Sequence, residues 1–599
     1  MKCIAGVVEL KPKRFFMSLS AIFLLFFASG ESARVLAAVF VPEQPVLAAN
    51  KLRVGDKGYL LTVMKGLKPV RLPLEVVSVV SASSKNRQGR AENSILVRTL
   101  GSIAQGMSGS PVFIGGKLVG ALSSGWNFGD HRVGLVTPIG EMIDIFSYKD
   151  RPMELKNAGH PLSSPVIVGG LSESAVEKMS GFDGLSGVSF MSLPSNGGEL
   201  PLERARFAPG DAIAALLVWG DVEAAAVGTV TATSKDGRFL AFGHPFLGRG
   251  AVNFPVGRAF VHDVIDSRVF PFKLATPVSI LGTATQDRSA GIGGQAGYFT
   301  PSIAATLAFQ DLDDLDKSGR VPAHLNRSFR VTPDAFLAPL LLEGMYGGLI
   351  TDLWGRKGQG TASVSLRVDG RGLMRGWTRK NMFFSDSSIE TTALKESTAI
   401  ISAFLKQPFS DISPIGFRLE VSITQEPKIL FIEDVLVSQD AKPGDTLGVD
   451  VTLRPYRAPP VKKRFDLIIP NDAEGTCELV VRSGSEHPLS QLAVDEGWKS
   501  IDGFERFLSE AGAGDANNEL IVELNCDRPL SKITKTASAD AQKPQMLPEE
   551  KEYLSETKAR RIKEGTLRVF RSDYVVDGMM KRVVTLATDK KSEDDSDEK

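Results

Sequence analysis

Two short stretches hold residues whose types and spacing suit acyl transfer. The first is Gly106-Met107-Ser108-Gly109-Ser110-Pro111. Glycines flanking a serine let the backbone take left-handed torsions and bring amide N–H groups close to a reacting carbonyl, as a nucleophile beside an oxyanion site requires. The second is Phe239-Leu240-Ala241-Phe242-Gly243-His244-Pro245, an apolar strand that ends in a glycine and delivers an imidazole into a loop. A serine hydroxyl is a poor nucleophile until a base takes its proton, and histidine serves because its ordinary pKa is about 6.5. His131 is the first of the six histidines, so a base for Ser108 must lie downstream of it. Among the others, His131 lies in a loop after Asn127-Phe128-Gly129-Asp130, and His262 stands beside Asp263 in an apolar strand context where a structural role is expected. His244 is the best-placed base.

The elements around these residues read as β-structure. After the serine, Val112-Phe113-Ile114-Gly115-Gly116-Lys117-Leu118-Val119 predicts two strands joined by a Gly-Gly turn, so a hairpin and not a helix follows the nucleophile. That sets aside the strand-to-helix elbow of α/β-hydrolases. Short strands at 58–63, 74–80 and 94–98 precede it, as a small barrel or sandwich requires, with a polar loop over 81–92. Residues 38–150 are thus expected to form a serine-bearing β unit and 226–330 a histidine-bearing one, with 151–225 as an insertion or connecting segment containing a short helix at 173–179. A helix from Asp334 and another opened by Ser387-Ser388-Ile389-Glu390 predict an α/β module over 331–425. The alternation Leu447, Val449, Val451, Leu453 predicts an immunoglobulin-like sandwich over 426–530. A linker, a charged helix and a disordered acidic end are expected over 531–599.

At 599 residues the chain is multidomain, and 58 glycines and 33 prolines fit a β-rich, turn-rich architecture. Lysine plus arginine and aspartate plus glutamate both total 70, and no basic–aromatic cluster stands out, so no nucleic-acid partner is expected. The scattered histidines and cysteines offer no metal-ligand spacing, and no cofactor is implied. Lys11, Lys13 and Arg14 precede an apolar run over 15–28 and small residues around Val35-Leu36-Ala37. This order predicts a signal peptide over 1–37, since about 14 apolar residues fall short of the roughly 20 that span a bilayer. Export to a periplasm or the exterior follows, with Cys477 and Cys526 as a candidate disulfide. A membrane-surface or envelope protein partner is compatible with that address.

Together, the segment from Ile103 to Pro111, its hairpin, Phe242-Gly243-His244, Val278 to Thr283 and Gly291-Ile292-Gly293-Gly294 resemble the SpoIVB-type serine peptidases over about a third of the chain. The resemblance implies a mostly β chain with a chymotrypsin-like double β-barrel and a protein or peptide substrate. It also implies Ser108 as nucleophile, His244 as general base, and the amides of Gly106 and Ser108 as the oxyanion hole. Here the serine half precedes the histidine half, by 136 positions (244 minus 108), so the halves are permuted relative to the family. The family's acidic residue lies shortly before the serine, where this chain has Asn93-Ser94 and no aspartate between Arg90 and Ser108. Asp263, Asp266, Asp287 and Asn93 are the candidates for a third member. The alternative expectation is a catalytically weak or inactive binding scaffold that keeps the peptidase fold.

Overall fold

The computed structural model describes residues 39–80, 94–147, 160–161, 165–179, 189–193, 206–315, 319–438, 441–486, 501–527 and 554–587. The expected signal peptide, the polar loop at 81–92, Asn93, the 531–548 linker and the acidic end at 592–599 lie outside them. No helix among the described residues is long and apolar enough to cross a membrane.

Six strands close a first barrel: β1 (Lys57–Val63), β2 (Pro69–Val80), β3 (Ser94–Thr99), β4 (Pro111–Ile114), β5 (Lys117–Gly125) and β6 (Val133–Pro138). Their order is β4-β1-β2-β3-β6-β5, and pairing of β4 with β5 closes the ring. Gly115 and Gly116 make the tight β4–β5 turn at φ +57° and +75°, torsions that glycine adopts without a Cβ penalty. Leu60, Leu74, Val76, Ile95, Val97, Val112 and Val136 fill the interior. A two-residue strand, β7 (His160–Pro161), adds to β5.

A second six-stranded barrel follows. Its strands come after β8 (Val166–Gly169) and β9 (Phe190–Leu193) in the chain. They are β10 (Ala212–Gly220), β11 (Glu223–Thr233), β12 (Arg238–Ala241), β13 (Gly250–Ile265), β14 (Phe272–Arg288) and β15 (Gly291–Ala296), in the order β10-β13-β14-β15-β12-β11, closed by β10–β11. The stretch expected to connect the two halves therefore contributes a barrel strand, because β10 is buried on both faces and shows no period-2 alternation to announce it. The chain is mostly β and consistent with a chymotrypsin-like double barrel. Between the barrels, Phe113, Leu118 and Ala121 of the first meet Ala232, Leu240 and Ala290 of the second. Phe40 and the helix α1 (Ile139–Ile143) complete that seam.

The module expected at 331–425 does not stand apart. From β10 the same sheet runs on through β17 (Leu325–Val331), β16 (Ile303–Asp311), β20 (Ile415–Thr424), β18 (Gly360–Gly370) and β19 (Trp377–Ser385), and from β11 through β8 and β9. The helices α2 (Glu173–Met179), α3 (Leu337–Trp354), α4 (Ile389–Thr392) and α5 (Lys395–Lys406) belong to the same region. Tyr346 of α3 donates its hydroxyl to the Phe417 carbonyl of β20, and Ile400, Ile401 and Phe404 of α5 join the common core.

The C-terminal unit packs two four-stranded sheets over one core. One holds β21 (Ile429–Val437), β22 (Thr446–Pro455), β23 (Val461–Ile468) and β27 (Val575–Asp577). The other holds β24 (Thr476–Ser483), β25 (Glu519–Cys526), β26 (Leu567–Arg571) and β28 (Met579–Thr585). Three strands thus come from the region expected to be linker and tail, after the charged helix at Leu554–Glu564, so the unit extends well past residue 530. Cys477 and Cys526 lie directly opposite each other on β24 and β25 and are joined as a disulfide across 49 positions. In the chain-entropy account a loop of that length is worth about 4 kcal/mol. A Cys477→Ser/Cys526→Ser chain should therefore unfold at clearly lower denaturant concentration in this unit, whereas the native protein should yield no free thiol from the pair under oxidising conditions.

Candidate active site

The turn carrying Ser108 is built by its own hydrogen bonds. Met107 N–H donates to Ala104 O (3.0 Å), and both Ser110 N–H (2.9 Å) and its hydroxyl (2.6 Å) donate to Met107 O. Gly106 and Gly109 sit at φ +86° and +89°, which reverses the chain twice in four residues. Gln105 N–H is bound to Pro271 O (2.7 Å) and Gly109 N–H to Leu122 O (2.7 Å). Of the six residues from 105 to 110, only Gly106 and Ser108 have amides that donate no hydrogen bond among the described residues. Those two amides are the ones expected to form an oxyanion hole, and they remain available to an incoming oxygen.

The second barrel grips this turn through β11. Thr229 N–H donates to Ser108 O (2.7 Å), Thr229 Oγ1 to Gly106 O (3.1 Å) and Thr231 Oγ1 to Gly109 O (2.7 Å). Two threonines spaced i, i+2 face the same side of a strand. Threonines recurring every second residue at 229, 231 and 233 in a strand otherwise mostly of small apolar residues are the sequence signal that could have found this contact. The histidine loop lies against the same place: Phe242 N–H donates to Thr229 O (3.3 Å), and Thr137 of the first barrel donates to Gly243 O (2.6 Å).

His244 follows two left-handed residues, Phe242 at φ +68° and Gly243 at φ +69°. A non-glycine residue there stores strain, of order 1 kcal/mol or more, that surrounding packing must offset. The fully buried Phe242 ring provides it, lying against Phe246 and filling the space left by the missing side chain of Gly228. The His244 Nδ1 is 2.6 Å from the carbonyl oxygen of Pro245. A carbonyl only accepts, so Nδ1 carries the proton and Nε2 keeps its lone pair, the tautomer a general base needs. Nε2 and the Ser108 hydroxyl are both buried and both without a hydrogen-bond partner among the described residues, including each other.

Of the other residues singled out, none that the structure describes hydrogen-bonds the imidazole. Asp263 pairs with Lys65 at the surface (3.5 Å), and Asp266 is exposed. Asp287 is fully buried, and its carboxylate accepts the amides of Phe246, Leu247 and Arg249, fixing the loop just past His244. Burial raises the Asp287 pKa while those amides oppose the rise. His262 bonds Thr276, and the His131 ring packs on Phe270. The position an acid would take at Nδ1 is occupied by Pro245 O, a backbone group to which no side-chain motif points. A second residue that the sequence did not flag is Lys273 of β14, whose Nζ is buried beside the serine turn. Among the described residues no cluster of metal-ligating side chains occurs.

Burial, partly offset by the bond to Pro245, lowers the His244 pKa to about 4. The unfolded chain, with histidine near 6.5, binds the proton first as pH falls, so this residue's contribution to stability is complete above 6.5 and is lost towards pH 4. The difference amounts to about 3 kcal/mol at the acid end. His244→Leu should flatten that part of a stability–pH curve measured by denaturant unfolding. An unchanged slope between pH 6.5 and 4 would mean that the imidazole is not buried as described.

Residues 29–143 match the family model for the SpoIVB peptidase S55. The match contains Ser108 and all six strands of the first barrel and ends ahead of the second. No curated protein and no solved structure matches the chain. The double barrel and the family match together support a serine peptidase of the SpoIVB type.

Proposed function

We propose that the chain is an exported serine endopeptidase with Ser108 as nucleophile and His244 as general base. This reading is supported by a buried Ser108 hydroxyl and a buried His244 Nε2 that have no hydrogen-bond partner among the described residues, by the two unspent amides of Gly106 and Ser108, and by the way both the serine turn and the histidine loop are held to Thr229. Catalytic hydrogen bonds are often long in the unliganded state and tighten when substrate binds. Ser108 Oγ adds to the scissile carbonyl carbon while Nε2 takes its proton. The carbonyl oxygen, now an anion, accepts the two amides. Collapse of the adduct breaks the C–N bond as the imidazolium returns the proton to the leaving nitrogen; a water molecule, deprotonated by His244 Nε2, then adds to the acyl carbon, and the C–Oγ bond breaks as the imidazolium returns that proton to Ser108 Oγ.

In this scheme the Pro245 carbonyl orients the ring and stabilises the imidazolium, as a carboxylate does in a Ser-His-Asp triad, but with a dipole in place of a charge. The resulting base is weaker. Ser108 is fully buried and His244 nearly so, so substrate reaches them only when the site opens. A weak base in an enclosed site supports a narrow, regulatory substrate range over general digestion. The permuted order of the halves is part of the proposal: the serine-bearing barrel comes first in the chain and the histidine-bearing barrel second. Export is supported by the basic-then-apolar N-terminal pattern and by the Cys477–Cys526 disulfide, a bond that persists in oxidising compartments.

The test is a peptide-library digest read by mass spectrometry for new termini. The mature protein should produce a restricted set of cleavages that are absent with Ser108→Ala. The same set of termini from both would refute the assignment.

A further inference from the structure

Lys273 is fully buried, and its ammonium bonds only the hydroxyls of Thr62 and Thr229 among the described residues, with no carboxylate paired to it. Removing an ammonium from water without an anion costs several kcal/mol, so a bare structural role would be served better by an apolar side chain. Its surroundings are specific. The Lys273 amide donates to Gln105 O (2.9 Å), which lays β14 along the start of the serine turn. A Cβ on Gly106 would lie 3.1 Å from the Lys273 Cβ and Cδ, so the stem of the lysine runs directly beside the oxyanion residue. The ammonium donates to Thr62 Oγ1 of the first barrel (2.8 Å) and to Thr229 Oγ1 of the second (3.4 Å). Thr229 in turn donates its hydroxyl to Gly106 O and its amide to Ser108 O.

Resting on the peptidase reading above, we propose that Lys273 is a positioning residue of the active site. Through Thr229 it fixes the carbonyls of Gly106 and Ser108, and so sets the torsions that aim the free amides of the same two residues at the oxyanion. A hydroxyl has one proton to donate. Thr229 spends it on Gly106 O, so it must accept from elsewhere, and Nζ is the donor that completes the chain. Joining Thr62 to Thr229 also ties the two barrels together at the point where their loops must stay in register. Desolvation lowers the Lys273 pKa to about 7, in keeping with an ammonium held without a counter-ion.

The experiment compares the rate of fluorophosphonate labelling, with intact-mass readout, for the full mature chain and for Lys273→Met, Thr229→Val and the double variant. Methionine keeps an apolar stem against Gly106 and removes the ammonium together with its donors to Thr62 and Thr229. Each single change should slow labelling by about tenfold, and the double change should be no slower than the slower single one, because residues in one hydrogen-bond chain couple. Denaturant unfolding should find Lys273→Met at least as stable as the native chain at neutral pH, which a merely structural lysine would not give. Labelling of folded Lys273→Met within twofold of the native rate, or losses that multiply in the double variant, would overturn the proposal while leaving the peptidase reading intact. If the native chain itself takes no label, the peptidase reading fails and the proposal falls with it. Should Lys273→Met not fold, Thr229→Val decides alone: a tenfold loss supports the relay, and no loss overturns it.

Discussion

A Ser108→Ala chain should fold to the native structure, at equal or slightly higher stability, and lose peptide hydrolysis by about 10⁴-fold or more. The two halves of this expectation have one cause. The Ser108 hydroxyl is buried without a hydrogen-bond partner among the described residues, so it contributes desolvation cost and no compensating bond. Deleting it relieves about 1 kcal/mol. The backbone bonds that shape the turn are unaffected, since the carbonyl of residue 108 still accepts the Thr229 amide. A residue held at a cost to stability, in a turn otherwise satisfied, is the pattern of a group kept for chemistry. Paired unfolding curves and cleavage assays on the two chains check both halves together.

The second large effect concerns folding. Gly109→Ala should destabilise the double barrel by about 3–5 kcal/mol, because overpacking and strain act at one position. A Cβ there would lie 1.9 Å from Thr229 O and 2.4 Å from Phe242 N, both backbone atoms of the second barrel that have no rotamer to yield. The residue also stands at φ +89°. This glycine is where the nucleophile turn and the histidine loop touch, so the added methyl must push the barrels apart. Ala at Gly115, which has open space within 4 Å, is the control at another positive torsion and should cost only the backbone strain of about 1 kcal/mol. Thermal unfolding of the two variants distinguishes them, and a Gly109→Ala midpoint equal to that of Gly115→Ala would contradict the packing described.

The sequence made the local parts of this arrangement legible. Glycines around Ser108, the Gly-Gly hairpin after it and the glycine ahead of His244 are short-range torsional signals, and the structure has turns at each. The Ser387-Ser388-Ile389-Glu390 segment does lead into α4 and α5, but without the expected capping box: Ser388 at the N-cap makes no side-chain cap bond, and the amides of Ser387 and Ser388 donate to Ser385 Oγ instead. Groups that act at long range were not legible. Pro271-Phe272-Lys273-Leu274 looks like ordinary strand alternation, and what distinguishes Lys273 is its contact with Thr62, which lies 211 positions away. Pro245 orients His244 with a carbonyl that every residue type has, so side-chain chemistry could not reveal it, and the search for an acid turned to Asp263, Asp266, Asp287 and Asn93. Asp287 does serve the histidine loop, but through its amides. At the level of architecture, β10 is Ala-rich and buried on both faces, and β26 to β28 are short and charged, so neither shows the clean period-2 pattern by which a half-buried strand is recognised.

The most direct measurement is the site of covalent capture. The mature protein, treated with a fluorophosphonate and analysed by intact mass and peptide mapping, should gain one phosphonyl group on Ser108, at a rate that falls about 10³-fold or more in His244→Gln. Capture at another residue, or none in a folded chain that has been given time to open, would contradict the account and return the double barrel to a binding scaffold.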